Sequence, residues 1–426
     1  MRALYSALWW LALPLVLGRL WWRGRREPGY RRHVAERLGF YPRSSANPST
    51  QATIWVHAVS VGETRAAEPL VEALLRAYPD HRILLTHMTA TGRATGHALF
   101  GKHASRVVQS FLPYDTGWMM QRFIRHFRPR LCVLMETEVW PNLIAQCKRR
   151  GIPVVLANAR LSERSLRKAQ KLQSLMGEAA RGISCVAAQT DADAQRIRQL
   201  GVANVHVTGS IKFDVTPPED ALAKGAALRQ QIGPRSVLLC ASTREGEEEL
   251  ILDALATADM ADALLVIVPR HPQRFDEVAR MIAARGIALQ HRSALGSAPL
   301  HADTRILLGD SMGEMFAYYA ACDVAFIGGS LLPLGGQNLI EACAVGKPVL
   351  IGLHTFNFGT VSEDAIAAGA AMRVTDAQAM LARSGRLLRD HDERAAMGEN
   401  ALVFSRHHRG ATARTLALLT TMLASA

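Results

Sequence analysis

The sequence predicts an α/β protein with two Rossmann-like, doubly wound domains facing across a cleft, preceded by a membrane-anchor helix. Three observations carry this. From Thr53 onward, short apolar runs alternate with amphipathic stretches, the pattern of strands and helices in a parallel sheet. The alternation is interrupted after Phe213 by Asp-Val-Thr-Pro-Pro-Glu-Asp, whose paired prolines suit a stiff linker, and then restarts. A chain of 426 residues is long enough for two such domains.

The first element is the uncharged run Ala3–Gly18, with Trp9 and Trp10 inside it and Trp21 and Trp22 just beyond. As a helix it measures roughly 24 Å, the short limit for crossing a bilayer. Tryptophans at its edges suit a membrane–water interface. No small-residue cleavage site follows, so it is not read as a removed signal peptide. Arg19, Arg23, Arg25, Arg26, Arg31, Arg32 and Arg37 follow closely against Glu27 and Glu36, within a chain of formal net charge +13. This cluster predicts that the rest of the chain stays on the cytoplasmic side and attracts anionic headgroups or an anionic lipid substrate. It abuts an apolar helix and lacks a nucleic-acid motif, so no nucleic-acid partner is expected. Residues 1–42 are assigned to the anchor and basic segment, 43–214 to the first domain and 215–426 to the second.

In the first domain, strands are expected at Ile54–Val59, Ile83–Thr86, Val107–Phe111, Leu131–Met135, Val154–Ala157 and Cys185–Ala188. Helices are expected at Ala66–Ala77, Trp118–Phe127 and Arg164–Ala180. The second has strands at Val237–Cys240, Leu264–Val268, Ile287–Gln290, Ile306–Leu308, Val324–Ile327 and Val349–Ile351. A last helical stretch, Ala395–Ala424, belongs either to the second domain or back across the linker. The six cysteines are scattered through apolar runs with no C-x-x-C pair, which fits buried thiols in a reducing compartment rather than disulfides or zinc.

The segment Asp323–Leu350 combines a buried strand, the glycine pair Gly335-Gly336, a helix and a second strand. Glycine lets backbone approach a ligand closely. Asn338 and Glu341 follow on one face of the expected helix, where a carboxylate can accept hydrogen bonds from a ribose diol. An ordinary βαβ crossover accounts for the same pattern. Ser60-Val-Gly-Glu63 closes the first strand and has the form of a capping box. Ser242–Glu245 and Ser311–Glu314 share that form. Glu63 is singled out because the carboxyl end of a first parallel strand is where open α/β sheets bind ligands. Glu136 and Glu138 end another strand and, in extended backbone, share a face. Arg270, in Ile267-Val-Pro-Arg-His271, suits a phosphate or a pyrimidine carbonyl, and Lys212 precedes the linker.

Other patterns fail. Gly96–Lys102 reads G-x-x-x-x-G-K, but His103 replaces the hydroxyl residue of a P-loop and no strand precedes it. No G-x-G-x-x-G links a strand to a helix, and no G-x-S-x-G occurs. Asp191-Ala-Asp193 has a metal-binding D-x-D form but sits at a helix start, where acids favour the N-terminus anyway.

Taken together these blocks resemble the Kdo transferases of lipopolysaccharide assembly, membrane-associated GT-B glycosyltransferases that use CMP-Kdo as donor and a lipid A precursor as acceptor. The resemblance runs from Trp21-Trp-Arg-Gly-Arg through His57-Ala-Val-Ser-Val-Gly-Glu63, Leu112-Pro-Tyr-Asp115, Met135-Glu-Thr-Glu-Val-Trp-Pro-Asn142, Ala157-Asn-Ala-Arg-Leu-Ser162, Gly209-Ser-Ile-Lys-Phe-Asp214, Val268-Pro-Arg-His-Pro272 and Gly309-Asp-Ser-Met-Gly-Glu314 to Phe356-Asn-Phe358. It implies Glu63 as catalytic base and Glu136 and Lys212 as transition-state stabilisers, with Glu138 a further candidate. It implies CMP-binding segments at Pro269-Arg270, Met312-Gly313-Glu314 and Asn338-Leu339-Ile340-Glu341. It further implies no metal, no cofactor and a place on the cytoplasmic side of the inner membrane. One departure stands out: the family's Gly-Gly-His-Asn-Pro-Leu-Glu loop is Gly335-Gly-Gln-Asn-Leu-Ile-Glu341 here. Gln337 keeps a hydrogen-bonding side chain but does not titrate, and Leu339 regains the backbone donor that proline lacks. A GT-B transferase using a UDP-sugar on another lipid-linked acceptor, and a non-catalytic membrane scaffold, are the competing readings.

Overall fold

The computed structural model describes residues 1–25, 27–41, 51–260 and 262–424, so Arg26 and the boundary expected at 42/43 lie outside the described residues. The chain divides into two compact units, Met1–Asp214 with Gly410–Ala426, and Val215–Arg409.

The first unit is built on strands β1 (Thr53–His57), β2 (Arg82–His87), β3 (Val107–Phe111), β4 (Pro129–Met135), β5 (Val154–Ala159), β6 (Cys185–Ala188) and β7 (Val205–Val207). They form one sheet in the order β3-β2-β1-β4-β5-β6-β7. Every pairing is parallel, with Val56 opposite Leu85 and Val133. Side chains alternate across the sheet, as the strand period requires. Ile54 and Val56 face a core with Leu70, Leu74 and Leu131, while Trp55 faces one with Phe123, Leu134 and Leu156. The sheet is buried on both faces, which is why its strands read as continuous apolar runs.

The second unit repeats the scheme with β8 (Val237–Thr243), β9 (Leu264–Pro269), β10 (Leu289–His291), β11 (Ile306–Leu308), β12 (Val324–Ile327), β13 (Val349–Ile351) and β14 (Ala371–Arg373). Its order is β10-β11-β9-β8-β12-β13-β14, again all parallel. In each unit the connections leave the first strand in opposite directions, so a topological switch point opens at the carboxyl ends: between β1 and β4, and between β8 and β12.

Several local expectations change. The stretch Ala395–Ala424 is two helices, His391–His408 and Ala411–Ala424, broken at Arg409-Gly410, where Gly410 takes φ +82°. The second of them joins the first unit: Leu419 and Leu423 pack among Ile54, Val56 and Leu70. Asp214 caps it, its carboxylate accepting from the Gly410 and Thr412 amides at 2.9 and 2.7 Å. Residues 410–426 thus join the first unit, which is the second of the two placements the sequence leaves open for the final helical stretch. The helix Arg164–Ala180 is also split, into Glu163–Lys171 and Gln173–Ala180.

The N-terminal helix spans Arg2–Arg23, with an 18-residue window of mean hydropathy 1.4 and none of it buried. One stripe of it docks on the first unit. Arg2 pairs with Glu178 (2.9 Å), Ser6 with Asn142, and the Trp9 ring stacks on Tyr114 at 5.6 Å. The heptad-spaced stripe Leu4, Leu8, Leu11 and Leu15 faces outward, 56–78 % exposed. The basic segment is not uniformly superficial. Arg25 and Arg31 lie over the Trp21 ring, but Arg37 is buried beneath the first unit's sheet edge, over Phe111 and donating to the Met88 carbonyl. Arg37 therefore supports the fold instead of meeting headgroups.

Candidate active site

The carboxyl end of β1 turns at Ser60 into the helix Val61–Ala77. The capping box forms: Ser60 Oγ accepts from the Glu63 amide, and the Glu63 carboxylate accepts from the Val59 amide at 2.9 Å. Yet the same carboxylate has a second property that capping does not require. Burial, reinforced by the charges of Glu138 and Glu136, raises the Glu63 carboxyl to about 7. The capping and catalytic readings are therefore compatible, because the cap aims the side chain while its surroundings tune it.

Across the switch point, β4 delivers Glu136. Its backbone takes the left-handed conformation (φ +57°), which a branched or bulky side chain rarely adopts and which concentrates at functional sites. The expected extended arrangement of Glu136 and Glu138 is thus replaced by a turn, but the two remain electrostatically coupled and Glu138 is likewise raised by burial. Glu136 is 5 % exposed and is met by two cations, Lys212 Nζ at 2.7 Å from Oε1 and Arg160 Nε at 3.4 Å from Oε2.

Asn158 positions Lys212. It sits in β5 with φ +54°, and its Oδ1 accepts from the Ile211 amide at 3.0 Å, fixing the short turn Ile211–Phe213 that carries Lys212. Arg160 follows it by two residues. Deeper still, His57 at the end of β1 is fully buried against Thr86, and burial depresses its imidazole to about 3, so it is neutral. Within the D-x-D segment Asp193 is engaged in folding: Thr190 caps the helix, its Oγ1 accepting from the Asp193 amide and donating to the Asp193 carboxylate, which also accepts from the Leu161 amide at 2.8 Å.

In the second unit, Pro269 ends β9 and Arg270 follows, exposed, its amide donating to the Thr243 carbonyl. The Gly335-Gly336 loop has φ values of +94° and +74°, and a Cβ on Gly335 would fall 2.1 Å from the Asn357 side chain. Asn338 precedes the helix, which covers only Ile340–Ala344, so Asn338 and Glu341 do not share a helix face as expected. They meet nonetheless: Asn338 Nδ2 donates to Glu341 Oε1 at 3.3 Å and Asn338 Oδ1 accepts from the Ile340 amide. Burial raises the Glu341 carboxyl, while Asn338 and the charge of Arg270 oppose the rise. The side chains of Leu339 and Ile340 are buried in the core, which leaves them only backbone groups to offer a ligand. Met312 is 69 % exposed, Gly313 takes φ +77°, and Glu314 pairs with Arg292 at 3.3 Å.

The other two S-x-x-E patterns are not capping boxes of the first kind. Ser311 Oγ meets the Glu314 carboxylate and the Tyr318 hydroxyl, each at 2.6 Å. At Ser242–Glu245 the helix starts later, at Glu247, and the Glu247 carboxylate does the work. Fully buried, it accepts from the Arg244, Gly329, Ser330 and Leu331 amides at 2.6–2.9 Å, joining the loops after β8 and β12. Sequence reasoning passed over Glu247, Asn158 and Arg160. The E-G-E-E run around Glu247 looks like an acidic first turn, and only an asparagine's tolerance of positive φ hinted at Asn158.

Comparison with known proteins agrees with these blocks. The profile of the 3-deoxy-D-manno-octulosonic-acid transferase (kdotransferase) family matches residues 32–215. The 3-deoxy-D-manno-octulosonic acid transferase of Bordetella pertussis is 47 % identical over 412 residues, 95 % of each chain. That of Haemophilus influenzae is 37 % identical over 424 residues, 98 % of each. Among solved structures, a glycosyltransferase from Rickettsia africae shares the fold at 14 % identity, with a TM-score of 0.56 over 88 % of this chain and 99 % of that one. With two parallel α/β units and near full-length relatives of this kind, the chain belongs to the Kdo transferase family of GT-B glycosyltransferases.

Proposed function

We propose that this protein transfers Kdo from CMP-Kdo to a lipid A precursor in lipopolysaccharide assembly, with inversion, and that Glu63 is the general base. The observation that carries the mechanism is the Glu63 carboxyl at the end of β1, raised to about 7 beside the Glu136–Lys212 pair. A base with a pKa near the working pH combines a deprotonated fraction with real proton affinity. In the reaction, an acceptor hydroxyl oxygen forms a bond to the Kdo anomeric carbon as the bond from that carbon to the CMP phosphate oxygen breaks. The hydroxyl proton passes to Glu63, and CMP leaves with the bonding electron pair. Positive charge develops on the sugar and negative charge on the phosphate. Glu136 holds Lys212 and Arg160 in place, and these cations stabilise the anionic side of the transition state.

The second unit supplies the donor half. Asn338 and Glu341 offer acceptors to a ribose diol, the Gly335-Gly336 backbone allows close approach of phosphate, and Arg270 contributes charge. Pro269 and Met312-Gly313-Glu314 complete the CMP site, with Leu339 and Ile340 contributing backbone. Gln337 stands where the family has histidine, so donor binding gains no titration from that position.

The helix Arg2–Arg23 holds the protein at the inner membrane by lying along it. Its Arg2, Ser6 and Trp9 stripe is occupied by the first unit, while Leu4, Leu8, Leu11 and Leu15 are free to enter the acyl boundary and the arginines after it to meet anionic headgroups. The direct test incubates the detergent-dispersed protein with lipid A precursor and either CMP-Kdo or UDP-sugars, then weighs the lipid product. A Kdo-bearing product from CMP-Kdo alone supports the reading; transfer from a UDP-sugar, or from neither, overturns it.

A further inference from the structure

The second unit has its own switch point, and Arg244 stands on one side of it. β8 ends at Thr243 and β12 at Ile327, paired side by side with Ala241 opposite Ile327. Arg244 follows β8 directly. Its backbone is fixed, because Arg244 N and Gly329 N both donate to Oε2 of the fully buried Glu247. Its side chain lies against the glycine loop: a Cβ on Gly329 would sit 3.5 Å from Arg244 Cγ and 3.2 Å from Gln337 Nε2. Gly328 is equally constrained, since a Cβ there would fall 2.5 Å from the Ser242 carbonyl oxygen. The arginine is therefore presented by two loops that cannot easily drift apart.

The cations nearby divide into two kinds. Arg274 is committed to Glu248 (3.1 Å) and Glu277 (3.2 Å), and Arg292 to Glu314. Neither the Arg244 nor the Arg270 guanidinium has a carboxylate or hydrogen-bond partner among the described residues. Both nevertheless lie close enough to His271 for their charges, with that of Arg274, to add to the burial that lowers its imidazole. Two unpaired guanidiniums at a ligand-binding edge call for two anionic groups, since like charges held together are otherwise unfavourable. Arg270 is the one electrostatically linked to Glu341, on the nucleoside side. Arg244 lies against Gly329, whose other near neighbour is the Gln337 side chain.

We propose that Arg244 is the specificity-determining residue for the donor's sugar, pairing with the carboxylate carried beside the anomeric carbon while Arg270 serves the nucleotide. The proposal rests on the donor reading above. A donor of this class carries two separate anions, the phosphodiester and the sugar carboxylate, and the switch point offers one guanidinium to each. A neutral sugar would leave Arg244 unpaired in the loaded site, so the residue selects acidic sugars over neutral ones.

The test is initial-rate kinetics of the full-length protein with CMP-Kdo, together with inhibition by CMP, which has the phosphate but lacks the sugar carboxylate. Arg244→Ala should raise KM for CMP-Kdo by at least about tenfold, as expected for loss of a charged hydrogen bond, with the CMP inhibition constant within about twofold of wild type. Arg244→Lys, which keeps a charge without the fork, should recover part of the loss. Arg270→Ala should weaken CMP and CMP-Kdo alike. A parallel rise for CMP in Arg244→Ala would make Arg244 a phosphate ligand and overturn the assignment, as would an unchanged KM. Loss of the thermal transition in both Arg244 variants would make the residue structural and end the proposal too. If the wild type transfers no Kdo, the donor reading itself falls first and this inference falls with it.

Discussion

At the residue scale, Glu63 combines a helix cap with a shifted titration. Its carboxylate completes a capping box, and burial beside Glu136 and Glu138 lifts its carboxyl to about 7. The proposed base must be ionised to act, so kcat should rise with pH through an ascending limb near 7. A limb at ordinary carboxylate pH in the pH–rate profile would show that the tuning is not used. Stability runs the other way. A carboxyl raised above its unfolded value favours the protonated native state, so its contribution is full at low pH and is lost as pH rises through about 7. Glu63→Gln, which cannot ionise, should therefore melt no lower than wild type at pH 8. In the second unit, Glu341→Ala removes the proposed diol acceptor and should cost about 1.5–3 kcal/mol in CMP affinity, read by calorimetry. Glu63, Glu136 and Arg270 stand out as candidates because they follow apolar strands closely. Asn158 and Glu247 do not, since what they bind are backbone amides that only the tertiary fold brings to them.

At the scale of elements, the strand positions were readable because a parallel sheet buried on both faces leaves apolar runs bounded by polar turns. The short edge strands β7 and β14 were missed: Val205-His-Val207 and Ala371-Met-Arg373 are each only three residues long and carry a polar or charged residue, as edges can. The break at Gly410 was hidden because residues either side of it are good helix formers, and the glycine's φ of +82° is set by the capping contact to Asp214. That contact is itself testable. Asp214→Ala leaves the Gly410 and Thr412 amides without their acceptor and should destabilise the first unit by about 1–2 kcal/mol in denaturant unfolding. An unchanged midpoint would mean that Leu419 and Leu423 alone hold the terminal helix. Deletion of residues 1–22 should release the protein from membranes while the cooperative melt survives, since only one stripe of that helix is docked. Loss of the melt would make the helix part of the core.

At the scale of the whole molecule, two parallel sheets each open a switch point, with Glu63 and Glu136 beside the first and Arg244 and the Gly328–Gly329 loop beside the second, the side chains proposed to act. Strand order was not derivable from strand spacing, so neither pairing across a switch point could be foreseen. With side-chain cations proposed to stabilise the leaving phosphate, excess EDTA should leave turnover within about twofold, under about 0.4 kcal/mol in barrier. Activity abolished by EDTA and restored by a divalent ion would refute this. The central claim is that Glu63 takes the acceptor proton, and one comparison tests it most directly: turnover of CMP-Kdo with lipid acceptor by full-length wild type and Glu63→Gln, with a melt and a CMP titration on the same preparations. Glutamine still caps, so folding and CMP binding should be retained while the rate falls by about 10²–10⁴. A folded, CMP-binding Glu63→Gln protein that turns over at near wild-type rate would contradict the account and return Glu63 to its capping box alone.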